Sequence, residues 1–402
     1  MRSKLSSPLV RFASLAAVGA LALAACSSGG SSSSSSSSAA PAPASSSAAA
    51  SSSAAAECTT PTPVKLQLQW FTQAQFAGYY AAKDKGYYKD ACLDVTIVEG
   101  GVDIVPQTEL ANGNVDFALA WVPKALASKE QGAPITDVAQ VFQRSGTLQV
   151  AWADSGIKTP ADYKGKKIGN WGFGNEFEVF AAITAAGLKV KDVELVQQQF
   201  DMKGLLSKEI DAAEAMTYNE YAQLLETKNP KTGKLYTPAD FTMISYEEVG
   251  VGMLQDSIWA NSEKLASDTA YQATTQAFVT ASLKGWIYCR DNAQECADMV
   301  TAAGSKLGKS HQLWMMNEVN KLIWPSPAGV GMIDQAAWDR TVEIATKTQN
   351  LEEATVLTAA PAADAFTNTY AEAADKALEA EGLNVTGDAF KPIDVTLNEG
   401  GQ

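Results

Sequence analysis

The run Val64-Lys65-Leu66-Gln67-Leu68-Gln69-Trp70 alternates apolar and polar residues with period two, the spacing that sends every second side chain to one face of a strand. A helix is predicted from about Phe76, with Tyr80 and Ala81 in register, stopping near Gly86. Leu93 to Val98 predicts a second strand and Val115 to Trp121 a third, a fourth ends before Gln143, and a helical stretch separates each of the first pairs. Strand, helix, strand at this spacing implies a mostly parallel sheet covered by helices.

The pattern restarts after a crossover expected near Val150-Ala151-Trp152. Lys166 to Trp171 predicts a strand, Phe177 to Ala186 a helix, Val193 to Val196 a strand and Ile210 to Met216 another. The last echoes Val115 to Ala120: an aspartate after an apolar residue, a small-residue strand, then an aromatic at the exit (Trp121, Tyr218). Tyr246 to Gly250 is a second expected crossover, and Met253 to Trp259 a returning strand. Residues 267–349 read as helical, with Phe278, Leu283, Trp286 and Ile287 on spaced faces, and a final amphipathic helix carries Phe366, Tyr370, Ala374 and Leu378 as far as Gly382. Two α/β lobes joined by two hinge crossovers follow, with ligand expected in the interlobe cleft outside the carboxyl ends of the strands.

The beginning of the chain changes the setting. Arg2, Lys4 and Arg11 precede an apolar run from Leu15 to Ala25, a basic and then hydrophobic region too short to span a bilayer. Leu23-Ala24-Ala25-Cys26 resembles a bacterial lipobox, which implies cleavage before Cys26 and lipidation of that residue; an ordinary signal peptide is the alternative. Residues 27–56 are almost wholly Ser and Ala, with too little apolar surface to offset the entropy of ordering. As a flexible chain of about 30 residues they would reach on the order of 30 Å. The expected organisation is residues 1–25 signal peptide, 26–62 lipid-anchored tether, 63–150 first lobe, 151–247 second lobe, 248–350 return to the first lobe, and 351–402 a C-terminal helix and tail packing on the lobes.

Net charge is −14, and because residues 1–25 hold three bases and no acid, the remainder stands at −17. That excess of acid argues against a nucleic-acid or anionic-lipid partner. With Cys26 assigned to lipid, Cys58, Cys92, Cys289 and Cys296 form an even set in an exported chain, which suits two disulfides. Cys58 and Cys92 each precede a predicted strand, and Cys289 and Cys296 flank a short Arg290-Asp291-Asn292 turn, so the pairs expected are 58–92 and 289–296. A zinc site is a poor fit, since the spacings are wrong and His311 is the only histidine.

The candidate ligand site is the set of residues just after each strand. The first lobe offers Trp70, Phe71, Gln75, Phe76 and Tyr79, then Gly101 and Asp103, then Trp121, then Gln143 and Arg144. The second offers Trp171, Gly174, Asn175 and Glu176, then Tyr218, Asn219 and Glu220, with Glu248 on the return hinge. Trp70, Trp121, Trp171 and Tyr218 would supply flat faces for a planar heteroaromatic ligand; the bland reading is that they fill the interlobe core. The glycines from Trp171 to Glu176 also suit an anion at a helix start, but the loop lacks a P-loop lysine and carries Glu176 instead. Arg144 is the only cation in the set, so a neutral ligand is expected.

These residues carry a resemblance. Leu66 to Phe71, Gln75 to Ala82 and Gly86-Tyr87-Tyr88 resemble the importer solute-binding proteins for the thiamine pyrimidine precursor and related compounds. Phe142 to Gly146, Gly174 to Phe177, Gln198 to Met202, Ala215 to Tyr221, Leu283 to Trp286 and Cys289 to Asp291 resemble, within that family, riboflavin-binding lipoproteins of the RibY type. The resemblance spans roughly Val64 to Gln349. It implies a periplasmic-binding-protein-like fold of type II and a monomeric extracytoplasmic receptor held at the cell membrane. Such a receptor passes riboflavin, or another small heteroaromatic, to ABC permease subunits with no cofactor and without chemistry of its own.

Two other classes remain. The same fold family includes a thiamine-pyrimidine synthase that depends on a histidine and a cysteine-rich iron-binding segment, whereas here His311 lies in a helical stretch away from the strand exits. Glu176 and Glu220 could act as an acid and base pair, though carboxylates at a pocket rim more often accept hydrogen bonds. A ligand-sensing receptor domain would show the same anchoring and the same binding.

Overall fold

The computed structural model describes residues 58–172 and 174–402; the expected signal peptide, Cys26 lipidation site and tether up to residue 57 lie outside them. The chain begins with β1 (Thr62–Gln67), α1 (Ala77–Asp84), α2 (Tyr87–Asp90), β2 (Leu93–Val98), α3 (Pro106–Ala111), β3 (Phe117–Trp121), α4 (Val122–Glu130) and β4 (Ile135–Gln140). It continues as β5 (Thr147–Trp152), β6 (Lys167–Asn170), α5 (Phe177–Ala185), β7 (Glu194–Gln197), α6 (Lys203–Leu206), β8 (Ala212–Met216), α7 (Glu220–Leu225) and β9 (Phe241–Ser245). After β10 (Asp256–Asn261) the chain is helical: α8 (Ser262–Ser267), α9 (Thr269–Asp291), α10 (Ala293–Ala302), α11 (Lys309–Ile323), α12 (Gln335–Lys347) and α13 (Thr369–Ala380). No helix of the described residues is long and apolar enough to cross a membrane.

Two five-stranded sheets form, in the orders β2-β1-β3-β10-β4 and β7-β6-β8-β5-β9. The orders coincide when β1 to β4 are matched to β6 to β9 and β10 is matched to β5. Each sheet is parallel at β1 to β3 or β6 to β8 and takes one antiparallel strand, β10 or β5, that the chain enters after a crossover. The first crossover lies at residues 141–146 rather than near Val150, because Thr147–Trp152 is itself β5, paired to β8 and β9. The lobe boundary expected at residue 150 therefore falls inside a strand. The tether boundary expected at residue 62 also moves: Thr62 already pairs with Leu93, and Cys58 is disulfide-bonded.

The echo between Val115–Ala120 and Ile210–Met216 has a physical basis, because β3 and β8 hold the same place in the two sheets. Asp116 accepts from the Lys65 N–H at 2.8 Å while its own N–H donates to Lys65 O. Asp211 does the same with Lys167, also at 2.8 Å. Each carboxylate ties the start of its strand to a neighbour.

Burial follows the layers. Val64, Leu66, Phe117, Ile258, Phe278 and Trp286 lie between the first sheet and its helices, and Leu148, Val150, Leu205, Ala213 and Phe241 pack on the second. The Gly78-Tyr79-Tyr80 motif belongs to this core. A Cβ at Gly78 would fall 2.2 Å from the Trp286 ring, and one at Gly285 would fall 2.0 Å from Gly78 O. Two glycines thus let α1 and α9 touch. The disulfides join Cys58 to Cys92 and Cys289 to Cys296, as expected, with Cα separations of 5.5 and 5.6 Å. Asn292 breaks the helix between the second pair. The C-terminal residues return to the second lobe, where Gly400 N donates to Glu226 O at 3.2 Å.

Candidate functional site

The strand exits of both sheets converge on a cavity of about 700 Å³. Of the residues expected there, Trp70, Gln75, Gly101, Asp103 and Trp121 line it from the first sheet, and Trp171, Gly174, Asn175, Tyr218, Asn219 and Glu220 from the second. Parallel strands bring their carboxyl ends to one edge of a sheet, so loops far apart in sequence meet there.

The aromatic lining crosses between lobes. Phe200, just past β7, has its ring centroid 5.0 Å from that of Trp70. The same ring stacks on Trp171 at 6.2 Å and 25°. Tyr218 is buried and meets Phe142 edge-on at 6.2 Å.

Polar groups are organised around three buried acids. Asp256 on β10 accepts from Trp121 Nε1 at 2.8 Å and from Gln75 Nε2 at 3.0 and 3.2 Å, while Gln73 Nε2 donates to Gln75 Oε1 at 2.6 Å. Burial pushes the Asp256 carboxyl up to about 7 against the pull of those donors. Glu220 accepts from Met216 N at 2.9 Å and Asn219 Nδ2 at 2.7 Å, and burial raises it likewise to about 7. Glu214, beneath the site on β8, accepts from Trp171 N at 2.7 Å and is held well above the usual carboxylate range by burial. His311 corrects the expectation that it lies away from the strand exits. Its Nε2 is 3.0 Å from Asn219 Oδ1 and its Nδ1 is 3.0 Å from both Glu226 oxygens. It therefore links α11 to a cavity-lining side chain.

Other expectations are corrected. Phe76 and Tyr79 are core, Tyr79 meeting the Trp286 ring edge-on at 5.7 Å. Phe71 stays 43% exposed beside Trp70 and Gly101, outside the lining. Gln143 Nε2 donates to Gln140 O at 2.7 Å and Met332 O at 3.0 Å, and Arg144 donates to Pro325 O at 2.7 Å and Leu322 O at 3.4 Å. Both side chains anchor the crossover. Glu176 turns back to accept from Gly174 N at 2.9 Å, and Glu248 is exposed on the return hinge. The cation on the cavity wall is therefore Lys124 and not Arg144. Also missed were Gln69, Gln107, Phe177 and Phe200 and the apolar rim Val102, Ile104 and Val105. Phe200 carried a usable signal, as an aromatic after a strand; Lys124 and Gln107 sit inside helices, which an exit rule does not reach.

A family profile described as NMT1/THI5 like matches residues 73–296. A putative thiamine biosynthesis protein of Haemophilus influenzae is 28% identical over 46% of this chain, and the chain spans 60% of that protein's length. A formylaminopyrimidine-binding protein of Halalkalibacterium halodurans is 24% identical over 59% of this chain and 69% of its own. The riboflavin-binding protein RibY of Chloroflexus aurantiacus is 25% identical over 70% of this chain and 79% of its own. A 4-amino-5-hydroxymethyl-2-methylpyrimidine phosphate synthase of Saccharomyces cerevisiae is 27% identical over 40% of this chain and 47% of its own. Among solved structures, a putative periplasmic sulfonate-binding protein from Methylobacillus flagellatus has a TM-score of 0.55 at 17% identity, covering 84% of this chain and 99% of its own. The two-lobed fold is shared with it.

Proposed function

The chain belongs to the NMT1/THI5-like family, and from that premise we propose that it is the extracytoplasmic solute-binding protein of an ABC importer. In this reading Cys26 anchors it to the membrane, and the cavity captures riboflavin for delivery to the permease. One observation carries the ligand class: a cavity of about 700 Å³ walled by Trp70, Trp121, Trp171, Phe177, Phe200 and Tyr218 from both lobes. Its size falls within the range of small-molecule pockets, about 300–1,000 Å³. Flat faces suit a planar heteroaromatic, each good stacking pair adding about 1 kcal/mol beyond area. Riboflavin is preferred to a single-ring pyrimidine because the cavity is wide and rich in aromatics. Gln69, Gln73, Gln107, Asn175 and Asn219 offer neutral donors and acceptors for a hydroxylated chain.

The yeast relatives raise the alternative of a pyrimidine synthase. His311 reaches the cavity through Asn219, and the cysteines of the described residues are joined in disulfides. Neither arrangement leaves a histidine or a thiol facing ligand, which favours a carrier. Titration of the purified protein with riboflavin should quench flavin and tryptophan fluorescence together. No change at micromolar concentration removes riboflavin, and tight binding of formylaminopyrimidine in its place makes the pyrimidine the ligand. Bound compound should be recovered unaltered after long incubation; a converted product would overturn the carrier reading.

A further inference from the structure

Lys124 is the only cationic side chain among the described residues that line the cavity. It stands in the first turn of α4, three residues beyond the last residue of β3. Its Nζ is 5.1 Å from the centroid of the Trp121 ring. Its stem runs beneath the second lobe: a Cβ at Gly174 would lie 3.6 Å from both Lys124 Cγ and Cε. Gly174 also holds a left-handed φ of +85°, so the close approach and the backbone both favour glycine there. The amine therefore lies at the seam between lobes, beside the aromatic walls.

Around it stand Glu214 on β8, Glu176 ahead of α5 and Asp256 on β10, all acting on it from beyond bonding distance. Asp256 and Glu214 are themselves pushed toward their neutral forms by burial. Among the described residues the ammonium makes no hydrogen bond and no ion pair, and burial draws its pKa down to about 8. Lys124 is partly exposed and its amine reaches the open cavity, where water can accept from it. An ammonium can only donate. A ligand that displaces that water is favoured when it brings acceptor atoms to the amine.

We propose that Lys124 donates to a carbonyl edge of the stacked ligand ring, so that the cavity selects pyrimidinediones over aminopyrimidines. This rests on the reading of the cavity as a heteroaromatic site. A dione edge presents two carbonyl oxygens to the amine, whereas the amino edge of an aminopyrimidine sets a single ring-nitrogen acceptor beside an N–H donor that a cation repels. Selection at Lys124 is thus a property of the fused or single ring and not of any chain attached to it.

Lys124→Met keeps length and removes charge. Wild type and variant are titrated with riboflavin, with lumichrome (the dione ring system without the chain) and with 4-amino-5-hydroxymethyl-2-methylpyrimidine. The variant should lose about tenfold or more in affinity for both diones, the size of one charge-assisted hydrogen bond. Wild-type dione affinity should fall by a similar factor between about pH 7.5 and 9.5 as the amine loses its proton, and the variant should lack that fall. The aminopyrimidine should lose less affinity than either dione on the same substitution. The unliganded variant should unfold at the same urea concentration or a higher one, since burial disfavours the charged amine by more than its surroundings favour it; should it misfold, the wild-type pH titration tests the proposal alone. Dione affinity within twofold of wild type, or a pH fall that persists in the variant, overturns the role of Lys124 and leaves the heteroaromatic reading standing. Failure of wild type to bind any of the three overturns that reading and this one with it.

Discussion

Asp256→Asn should stabilise the unliganded protein at pH 8 and leave it nearly unchanged at pH 4. Asp256 is 2% exposed, with Trp121 and Gln75 donating to it. Burial nonetheless raises its pKa from 3.8 to about 7. Below the ordinary carboxylate value both folded and unfolded chains hold the proton, so folding carries no ionisation cost. Between that value and about 7 the unfolded chain releases its proton and the folded chain keeps it, so stability falls as pH rises. Above about 7 both are ionised and the whole cost of a buried charge stands. The gap corresponds to about 4 kcal/mol as an upper bound. The asparagine side chain carries no charge and keeps a carbonyl for the Trp121 Nε1–H. Urea unfolding, followed by tryptophan fluorescence at several pH values, gives the difference between variant and wild type. Subtraction removes the other buried acids, Asp137 raised to about 8 and Glu178 and Glu220 raised to about 7, insofar as they titrate independently of Asp256. The difference should climb from near zero at pH 4 to a few kcal/mol in the variant's favour at pH 8. A difference that stays flat with pH, or a variant less stable at pH 8, would refute the assignment of Asp256 as a buried acid ionised against its surroundings.

Trp171→Ala and Phe200→Ala should each weaken riboflavin binding by about tenfold or more, read by flavin fluorescence; if both leave it intact, ligand binds elsewhere. Gly78→Ala would set a methyl group 2.2–2.5 Å from the Trp286 ring and should cost about 1–3 kcal/mol or more in urea unfolding. An unmoved midpoint would mean that α1 and α9 separate easily, and the folded fraction should keep its ligand affinity. The disulfides close sequence separations of 34 and 7 residues, worth about 4 and about 2 kcal/mol by loop-closure entropy. Replacing Cys58 and Cys92 with Ser should therefore lower stability more than replacing Cys289 and Cys296. The opposite order would put the second pair's worth in native packing between α9 and α10.

A period-two run located β1 because one of its faces is buried at Val64 and Leu66, whereas β3 and β8, buried along nearly their whole length, showed only as runs of small and apolar residues. The aromatic exits Trp70, Trp121 and Trp171 were legible for a related reason. Residues following parallel strands have little choice but the cleft edge, and large apolar side chains there need a partner. Strand direction left no such mark. Thr147–Trp152 has the same alternating chemistry whether it continues the first lobe or enters the second antiparallel, so the crossover was displaced by several residues. The errors in the site share one cause: a side chain's distance along the chain from a strand end does not say which way it turns. Gln143 and Arg144 follow β4, but that segment is leaving its lobe, and carbonyls at Leu322, Pro325 and Met332 draw both side chains away from the cavity. Lys124 follows β3 inside a helix that starts at once with Val122 and Pro123. One residue past Pro123, it lies along the cavity wall under Gly174. Reversing those two cations reverses the inference drawn from them. A cleft whose only cation anchors a hinge argues for a ligand without acceptor charge; a cleft with an unpartnered amine beside its aromatic walls argues for a ring that brings carbonyls to it.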